Sequence, residues 1–299
     1  MSAPLVSILV PAYRERFFAE AFASALAQTL ADTEVIVCDD SPGDAIGAIV
    51  RAAPHSRVRY VRNPSNLGFS GNFTQALSLA RGKYVKFLND DDRLHPRCIE
   101  TLAGVMEANP PVVLATSRRA VIDEQGRAQP DIPSTTPIAH VSSFMAGRDL
   151  GDFCLVNGIN LIGEPTTVMF RRGDVQVEEG SLFRWGGHEF HCLADFSLWL
   201  RLMAKGIAYY AAVPLSEYRR HGGQEQRGPE AALECLVERE LVLPRAASLG
   251  YLAYPEQRAA AVRAVRHMAA PFAPVAREHA GVRDAIAAME RRLAAFEGR

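Results

Sequence analysis

The stretch Lys83-Tyr84-Val85-Lys86-Phe87-Leu88-Asn89-Asp90-Asp91-Asp92 decides the fold. Its first six residues are mostly apolar, which is typical of a strand buried inside a parallel sheet. Three carboxylates follow at once, and Pro96 begins a predicted helix that continues to Ala108. A buried strand, an acidic loop and a helix in this order form a strand–helix unit of an α/β fold.

The same alternation precedes and follows this unit. Four further strands are predicted at residues 5–10, 34–38, 58–61 and 112–116. Helices are predicted at residues 17–30, 44–53 and 71–80. Pro11 is expected to stop the first strand, and Gly82 to end the third helix as a C′ glycine. Strands that alternate with helices predict βαβ units and a mostly parallel sheet.

The alternation fades after Arg118. A helical stretch is predicted at 141–156, a strand at 166–171, a helix at 195–205 and a strand at 207–213. The chain is then predicted to be helical from Gly228 onward. One helix face there is marked by apolar residues at alternating spacings of four and three, namely Val282, Ile286, Met289, Leu293 and Phe296.

Composition excludes several classes of protein. Hydrophobic residues make up 48% of the 299 residues, so a large core is expected. The net charge of −1 argues against binding to a nucleic-acid backbone. Five cysteines without a CxxC pair predict no disulfide framework and favour a reducing compartment. Neither a signal peptide nor a membrane span is visible, so we expect a cytoplasmic protein, attached at most to the inner face of the membrane.

Carboxylates follow two of the predicted strands. Asp39 and Asp40 come after the second strand, and Asp90 to Asp92 after the fourth, and ligands of such sheets bind at the carboxyl ends of the strands. Three adjacent carboxylates repel one another, and a divalent cation such as Mg²⁺ or Mn²⁺ would remove that cost. The alternative for this run is a solvated acidic turn.

The two carboxylates after the second strand also have two interpretations. Asp39 or Asp40 could accept the N–H of a nucleobase, or could cap a turn. Tyr13, after the first strand, could stack on a base or serve only in packing.

Seven segments in this order resemble the family-2 group of inverting glycosyltransferases, which have the GT-A fold. The similarity covers about residues 5–221 and rests on VPAYRE (10–15), EVIVCDDSP (34–42), RNPSNLGF (62–69), FLNDDDRLHP (87–96), TTVMFRR (166–172), ADFSLWLRL (194–202) and YRRH (218–221). The resemblance implies a GT-A domain over 1–221. Its halves are a nucleotide-sugar-binding half (1–117) and an acceptor and catalytic half (118–221), and a helical extension (222–299) follows.

The resemblance also implies roles for particular residues. The nucleotide would be bound by Pro11, Tyr13, Glu15, Asp39, Asp40, Asn66, Gly68, Asn72, Asn89 and Asp90. Asp91 and His221 would hold Mn²⁺ or Mg²⁺, and Asp195 would be the catalytic base. Two positions depart from the family pattern, because Asn89 and Ala194 stand where acidic residues are frequent.

An acceptor site is predicted around the segment before Asp195. Trp185 could stack on a sugar ring, and His188 lies in the same segment. The spacing of His188 and His191 differs from that of a zinc-protease motif, which favours an acceptor loop over a zinc site. Glu164 and Thr166 could line the acceptor site or form a turn before a strand.

The predicted function is transfer of a sugar from a nucleoside-diphosphate sugar to a saccharide or lipid-linked acceptor, with inversion. The resemblance to the family implies that this transfer belongs to surface polysaccharide synthesis. UDP is the default nucleotide. The alternatives are a sugar-phosphate nucleotidyltransferase and a non-catalytic nucleotide- or sugar-binding module. For the extension, a homodimer contact or a peripheral membrane contact are alternatives to simple packing on the domain.

Overall fold

The computed structural model describes residues 3–222 and 229–298. Its strands are β1 (Val6–Ala12), β2 (Thr33–Asp39), β3 (Val58–Arg62), β4 (Tyr84–Phe87), β5 (Arg93–Leu94), β6 (Val112–Ile122), β7 (Ala128–Gln129), β8 (Ser143–Ala146), β9 (Met169–Arg171), β10 (Arg184–Trp185), β11 (His188–Glu189) and β12 (Ile207–Arg219). Its helices are α1 (Phe18–Leu26), α2 (Ala45–Ala52), α3 (Gly68–Leu79), α4 (Cys98–Ala108), α5 (Gly147–Asn157), α6 (Ala194–Met203), α7 (Pro229–Ser248), α8 (Pro255–Ala269), α9 (Ala273–Glu278) and α10 (Ala280–Glu297).

A mixed sheet of ten strands forms the centre of the molecule, with the main order β3-β2-β1-β4-β9-β6-β12-β5. The strands β3, β2, β1 and β4 run parallel. The short β9 runs antiparallel between β4 and β6, and β12 is parallel to β6. The α/β fold with a mixed sheet is therefore confirmed. Since β1 lies between β2 and β4, the acidic segments that follow β2 and β4 meet at one edge.

Pro11 does not stop the first strand, contrary to the expectation from sequence. β1 continues to Ala12, and Pro11 pairs with Cys38 in the ladder with β2. The ladder between β1 and β4 has already ended at the pair Leu9 and Phe87. Proline is tolerated where a strand has lost a neighbour, because its missing N–H then breaks no ladder hydrogen bond.

Gly82 has a different role from the predicted C′ glycine. Helix α3 ends at Leu79, and Ala80 after it has extended backbone angles. A Cβ atom on Gly82 would lie 2.5 Å from the backbone nitrogen of Ser7. The Ser7 hydroxyl also accepts the Gly82 N–H at 2.8 Å. Glycine is needed here for close approach of two backbone segments.

The segment predicted as one helix from 141 to 156 begins as a strand. Ser143–Ala146 forms β8, an antiparallel partner of β12, and α5 starts only at Gly147. A Cβ atom on Gly147 would lie 2.1 Å from the carbonyl oxygen of Met203, so this turn from strand to helix packs directly on α6. A pattern of apolar residues cannot separate a short edge strand from the helix that follows it.

Apolar side chains fill both faces of the sheet. One cluster joins β1 and β2 with helices α1, α2 and α4. The other joins the opposite face with α3, α5 and α6, and it includes buried residues of the C-terminal helices. On α10, the predicted apolar face is buried at Met289, Leu293 and Phe296. The C-terminal helices thus share a core with the sheet domain. Within residues 3–222 and 229–298, no helix combines the length and apolarity required to cross a bilayer.

The sequence predicted no disulfide framework, and the structure contains one disulfide that was not foreseen. Cys192, just before α6, is bonded to Cys235 on α7, and 43 residues separate them in the chain. Cys38, Cys98 and Cys154 are buried free thiols. Spacing along the sequence could not predict this pair, because only tertiary packing brings α7 to the start of α6.

Candidate active site

A cavity of about 640 Å³ opens at the carboxyl edge of the parallel strands. It is lined by the ends of β1, β2 and β4 and by the start of α6. Among the residues with predicted roles, the lining includes Pro11, Tyr13, Asp40, Asn66, Gly68, Asn72, Asn89, Asp90, Asp91, Glu164 and Asp195. Residues predicted for the nucleotide, the metal and the catalytic base are thus brought together in one cavity.

Asp40 holds the loop that leads into α3. Its carboxylate accepts the N–H groups of Leu67 and Gly68, at 2.8 Å and 3.0 Å, and an amide N–H of Asn63 at 2.9 Å. Gly68 has a φ of 70°, a left-handed angle that glycine adopts at little cost. Asn72 donates to the carbonyl oxygens at the ends of β1 and β2, so its place at the cavity is fixed. These contacts preorganise this wall of the cavity.

Two residues predicted for the nucleotide lie outside the lining. Asp39 is fully buried, and its carboxylate accepts the Tyr60 hydroxyl at 2.6 Å and the Arg62 guanidinium at 3.1 Å. Its contacts join β2 to β3. Glu15 is exposed on the loop after β1. Of the two neighbouring aspartates, Asp40 is therefore the one at the cavity.

The three adjacent carboxylates are separated by different partners. Asp90 accepts the backbone N–H groups of Tyr13 and Arg14, each at 2.7 Å. Burial raises the pKa of Asp90 to about 6, although these donors oppose the change. Asp92 is buried and accepts the Thr166 hydroxyl at 2.7 Å and the Arg219 N–H at 2.9 Å. The mutual repulsion inferred from the sequence is thus reduced, because the side chains point to separate groups of donors.

Asp91 is the carboxylate of this run that faces both the cavity and an imidazole. Its Oδ2 lies 3.0 Å from Nε2 of His221, which is buried behind it and outside the lining. The fully buried Arg219 donates to the backbone oxygen of Asp91 at 2.7 Å, and its guanidinium lies 4.4 Å from the Phe17 ring centre. These contacts fix the backbone and one oxygen of Asp91.

The donor set at Asp91 fits a divalent ion that also has ligands from outside the protein. A carboxylate oxygen suits Mg²⁺ and Mn²⁺. Among residues 3–222 and 229–298, no cluster of three or more His, Cys, Asp or Glu side chains could hold a metal. The protein atoms alone would leave most coordination positions open.

Asp195 lines the same cavity, in the first turn of α6. Its carboxylate accepts the N–H of Phe196 at 2.6 Å and an amide N–H of Asn160 at 3.3 Å. Burial raises the pKa of Asp195 to about 7, and the charge of Glu164 adds to the rise, while Arg119 opposes it. A carboxylate with this pKa can accept a proton near neutral pH.

The residues predicted for the acceptor separate into two groups. Glu164 lines the cavity and pairs with the buried Arg119 at 2.9 Å. Thr166 is fully buried below it, where it bonds with Asp92. Trp185 and His188 form the β10–β11 hairpin outside the cavity lining, and Trp185 borders a second cavity of about 860 Å³ beside α6. Trp185 and His188 were expected near the cavity because they precede Asp195 in the chain, but neither of them lines it.

Sequence reasoning missed several lining residues. Arg14 and Arg220 bring positive charge to the cavity, and Phe69 brings an exposed ring that stacks on Phe183. Phe73, Ile132, Ala194 and Tyr218 also line the cavity and were not predicted for it. Pro165, His191 and Cys192 lie in segments that were expected near the acceptor, and they line the cavity as well. Arg14 and Arg220 belong to the segments VPAYRE and YRRH, on which the family resemblance rests. Their membership of these segments could have pointed to them as site residues.

Comparison with known proteins gives the family. Residues 7–175 match the family model described as glycosyl transferase family 2. The chain belongs to glycosyl transferase family 2. The matched part contains β1 to β9, with the acidic segments at the ends of β2 and β4, and ends before Asp195 and the helix α7.

Relatives in the family agree with this membership. An uncharacterized protein of Mycobacterium tuberculosis is 30% identical over 244 residues, which are 80% of this chain and 75% of that protein. The putative glycosyltransferase EpsE of Bacillus subtilis is 27% identical over 217 residues, 70% of each chain. The Escherichia coli protein WfaP, named as a UDP-Glc:alpha-D-GlcNAc-diphosphoundecaprenol beta-1,3-glucosyltransferase, is 38% identical over 90 residues, 29% of this chain and 36% of WfaP.

A solved structure shares the fold of this family-2 chain. TarS of Staphylococcus aureus, in complex with UDP-GlcNAc, superposes with a TM-score of 0.62 at 14% identity. The match covers 89% of this chain and 72% of TarS. The GT-A fold expected from sequence is confirmed by this similarity.

Proposed function

We propose that this family-2 glycosyltransferase moves a sugar from a nucleoside-diphosphate sugar to a hydroxyl of a saccharide or lipid-linked acceptor, with inversion at the anomeric carbon. The observation that carries the proposal is that Asp195, whose pKa is raised to about 7, faces the same cavity as Asp91 and the Asp40 loop. The cavity therefore offers both a base and groups for a nucleotide and a diphosphate.

The nucleotide end of the donor fits the wall formed by β1, β2 and the start of α3. Tyr13 presents a side chain that is 44% exposed and available for stacking on a base. Asn66 and Gly68 border the same space, and their loop is fixed by Asp40. The volume of about 640 Å³ lies within the range of pockets for small molecules. UDP is the nucleotide we propose, which the UDP-GlcNAc complex of TarS supports by analogy.

The diphosphate fits between these groups and the acidic loop. Arg14 and Arg220 line the cavity and would attract the phosphate oxygens. We propose that Asp91 holds Mn²⁺ or Mg²⁺, and that His221 orients Asp91 through their 3.0 Å contact. When bound, such an ion offsets the negative charge that develops on the departing nucleoside diphosphate.

Asp195 supplies the proton chemistry. An acceptor hydroxyl placed beside its carboxylate would give up its proton to Asp195 while its oxygen bonds to the anomeric carbon. The bond from that carbon to the diphosphate oxygen breaks, and the bonding pair leaves with the nucleoside diphosphate. A single displacement of this kind inverts the anomeric configuration. Glu164, 2.9 Å from Arg119, lies on the acceptor side of the cavity and could accept a hydrogen bond from a second hydroxyl.

The acceptor class rests on the relatives, since WfaP is named for a diphosphoundecaprenol-linked acceptor. We propose a saccharide or lipid-linked acceptor in surface polysaccharide synthesis. A homodimer and a contact of the C-terminal helices with the inner face of a membrane stay predictions.

Release of products from a panel of substrates tests the function. Purified protein with Mn²⁺ is incubated separately with UDP-sugars and with UTP plus sugar 1-phosphates. A glycosyltransferase releases UDP from a UDP-sugar through slow transfer to water, and an added acceptor speeds the release. Release of pyrophosphate from UTP would instead identify a nucleotidyltransferase. Binding of UDP-sugars without any turnover, with acceptors present, would identify a binding module.

A further inference from the structure

The start of helix α6, which carries Asp195, is held by the C-terminal helix α7. The buried carboxylate of Glu238 accepts the backbone N–H of His191 and that of Leu193, each at 2.7 Å. Leu193 is the N-cap residue of α6, and no side chain of α6 itself caps this end. Glu238 thus does from another helix what a local capping residue does elsewhere, and its negative charge suits the positive end of the α6 dipole.

A covalent bond joins the same two segments. Cys192 lies between the two residues that donate to Glu238, and it is bonded to Cys235 of α7. Cys235 and Glu238 are three residues apart, so they lie on the same face of α7. His191 and Cys192 also line the active-site cavity. The segment that α7 holds is therefore the wall of the cavity next to Asp195.

A positive charge on α7 also acts on Asp195. Arg239 follows Glu238 in the chain and is partly buried. Burial lowers the pKa of Arg239, and its attraction to the Asp195 carboxylate opposes that change. Arg239 of α7 thus joins Glu164 and Arg119 of the sheet domain among the charged groups that act on Asp195.

We propose that Glu238 is a positioning residue for catalysis, which fixes the start of α6 and thereby the Asp195 carboxylate, and that the C-terminal helices are part of the active site. This inference rests on the proposed role of Asp195 as the base. It concerns a part of the chain beyond residues 7–175, which match the family model. Glutamine in place of Glu238 has one acceptor oxygen instead of two, so one of the two N–H groups would lose its partner.

The test compares Glu238→Gln with Glu240→Gln. Glu240 is a matched control, since it is buried on the same helix but pairs with Arg292 of α10 at 2.8 Å. UDP release from the best UDP-sugar gives kcat and KM, and calorimetry gives the affinity for UDP. We expect Glu238→Gln to lower kcat by about tenfold to a hundredfold, as small displacements of a catalytic group do, with KM and UDP affinity within about twofold. The control should keep kcat within about twofold of wild type.

Hydrogen exchange of the segment 190–196 separates the outcomes. Faster exchange there in Glu238→Gln, but not in Glu240→Gln, is expected whether or not a donor has been identified. If Glu238→Gln keeps wild-type exchange and kcat, the positioning role is overturned. Wild type could release no UDP from any donor while hydrogen exchange of 190–196 is still faster in Glu238→Gln. The proposed function would then have failed, but the contact of Glu238 with the start of α6 would be supported.

Arg239 gives a second test in case Glu238→Gln does not fold. Removing a cation near a carboxylate raises the pKa of that carboxylate. Arg239→Met should therefore move the acid limb of the kcat profile to higher pH, and Arg239→Lys should restore much of the shift because it keeps the charge. Identical acid limbs in wild type and Arg239→Met would contradict the action of α7 on Asp195.

Discussion

Replacing Asp195 by asparagine should remove turnover and at the same time stabilise the protein above neutral pH. The carboxylate is held in the cavity with a pKa of about 7, against an ordinary value of 3.8. Between these values the folded protein keeps a proton that the unfolded chain has lost, so the free energy of unfolding falls as pH rises through this window. Asparagine resembles the protonated side chain and carries no such cost.

The size of the effect follows from the difference in pKa. At pH 8 ionisation of Asp195 costs at most about 4 kcal/mol of folding free energy, since one pKa unit corresponds to about 1.4 kcal/mol. Water in the open cavity screens the charge, so the measured gain should be smaller. At pH 4 the gain should fall below about 1 kcal/mol, because a large share of the unfolded chains then also hold the proton.

Two assays check this prediction. Urea unfolding at pH 4 and pH 8 compares wild type with Asp195→Asn, and Asp284→Asn on the exposed face of α10 is the control for losing a carboxylate. In parallel, wild-type kcat should rise about tenfold from pH 6 to pH 8, as expected for a base of pKa about 7. Equal stability of wild type and Asp195→Asn at both pH values, or turnover by Asp195→Asn within tenfold of wild type, would refute the reasoning.

Three further changes have expected outcomes. Arg219→Met should lower the free energy of unfolding by about 3 kcal/mol, as measured by urea unfolding. The fully buried guanidinium donates to the carbonyl oxygens of Asp91, Asp123 and Glu124, which would lose their partner. A loss below about 1 kcal/mol would contradict this. Gly82→Ala should lower the free energy of unfolding by at least about 2 kcal/mol, because the new Cβ would lie 2.5 Å from the Ser7 nitrogen. An unchanged melting temperature would exclude that close approach. Gly104→Ala, in α4 with open space around it, should instead stabilise by about 0.5–1 kcal/mol, and a fall in stability there would contradict the view of an unhindered helix site.

The parallel half of the sheet could be predicted because its strands are buried on both faces. Continuous apolar runs such as Val35–Cys38 have few other interpretations when helices separate them. The second half was harder, because β9 has only three residues and β12 extends beyond its apolar part to Arg219. Pairing with β6 and β5 holds that last part of β12, and pairing across a sheet is not visible in one local pattern.

The candidate site shows the same division. Residues at strand ends, such as Asp40 and Asp91, were correctly expected at the cavity because parallel strands share one edge. Trp185 and His188 were placed by their distance along the chain from Asp195, and the hairpin that carries them folds away from the cavity lining. Glu238 could not be found, since its partners lie 45 and 47 residues away and only the docking of α7 unites them.

Calorimetric titration of UDP into the protein, with and without Mn²⁺, tests the central claim most directly. Wild type should bind UDP with Mn²⁺, and affinity should fall at least about tenfold, or 1.4 kcal/mol, when Mn²⁺ is removed or when Asp91 is replaced by asparagine. Asp284→Asn should bind like wild type. Folded wild-type protein that binds no nucleoside diphosphate, or an Asp91→Asn variant that binds UDP as tightly as wild type with Mn²⁺, would contradict a donor site built at the end of β4.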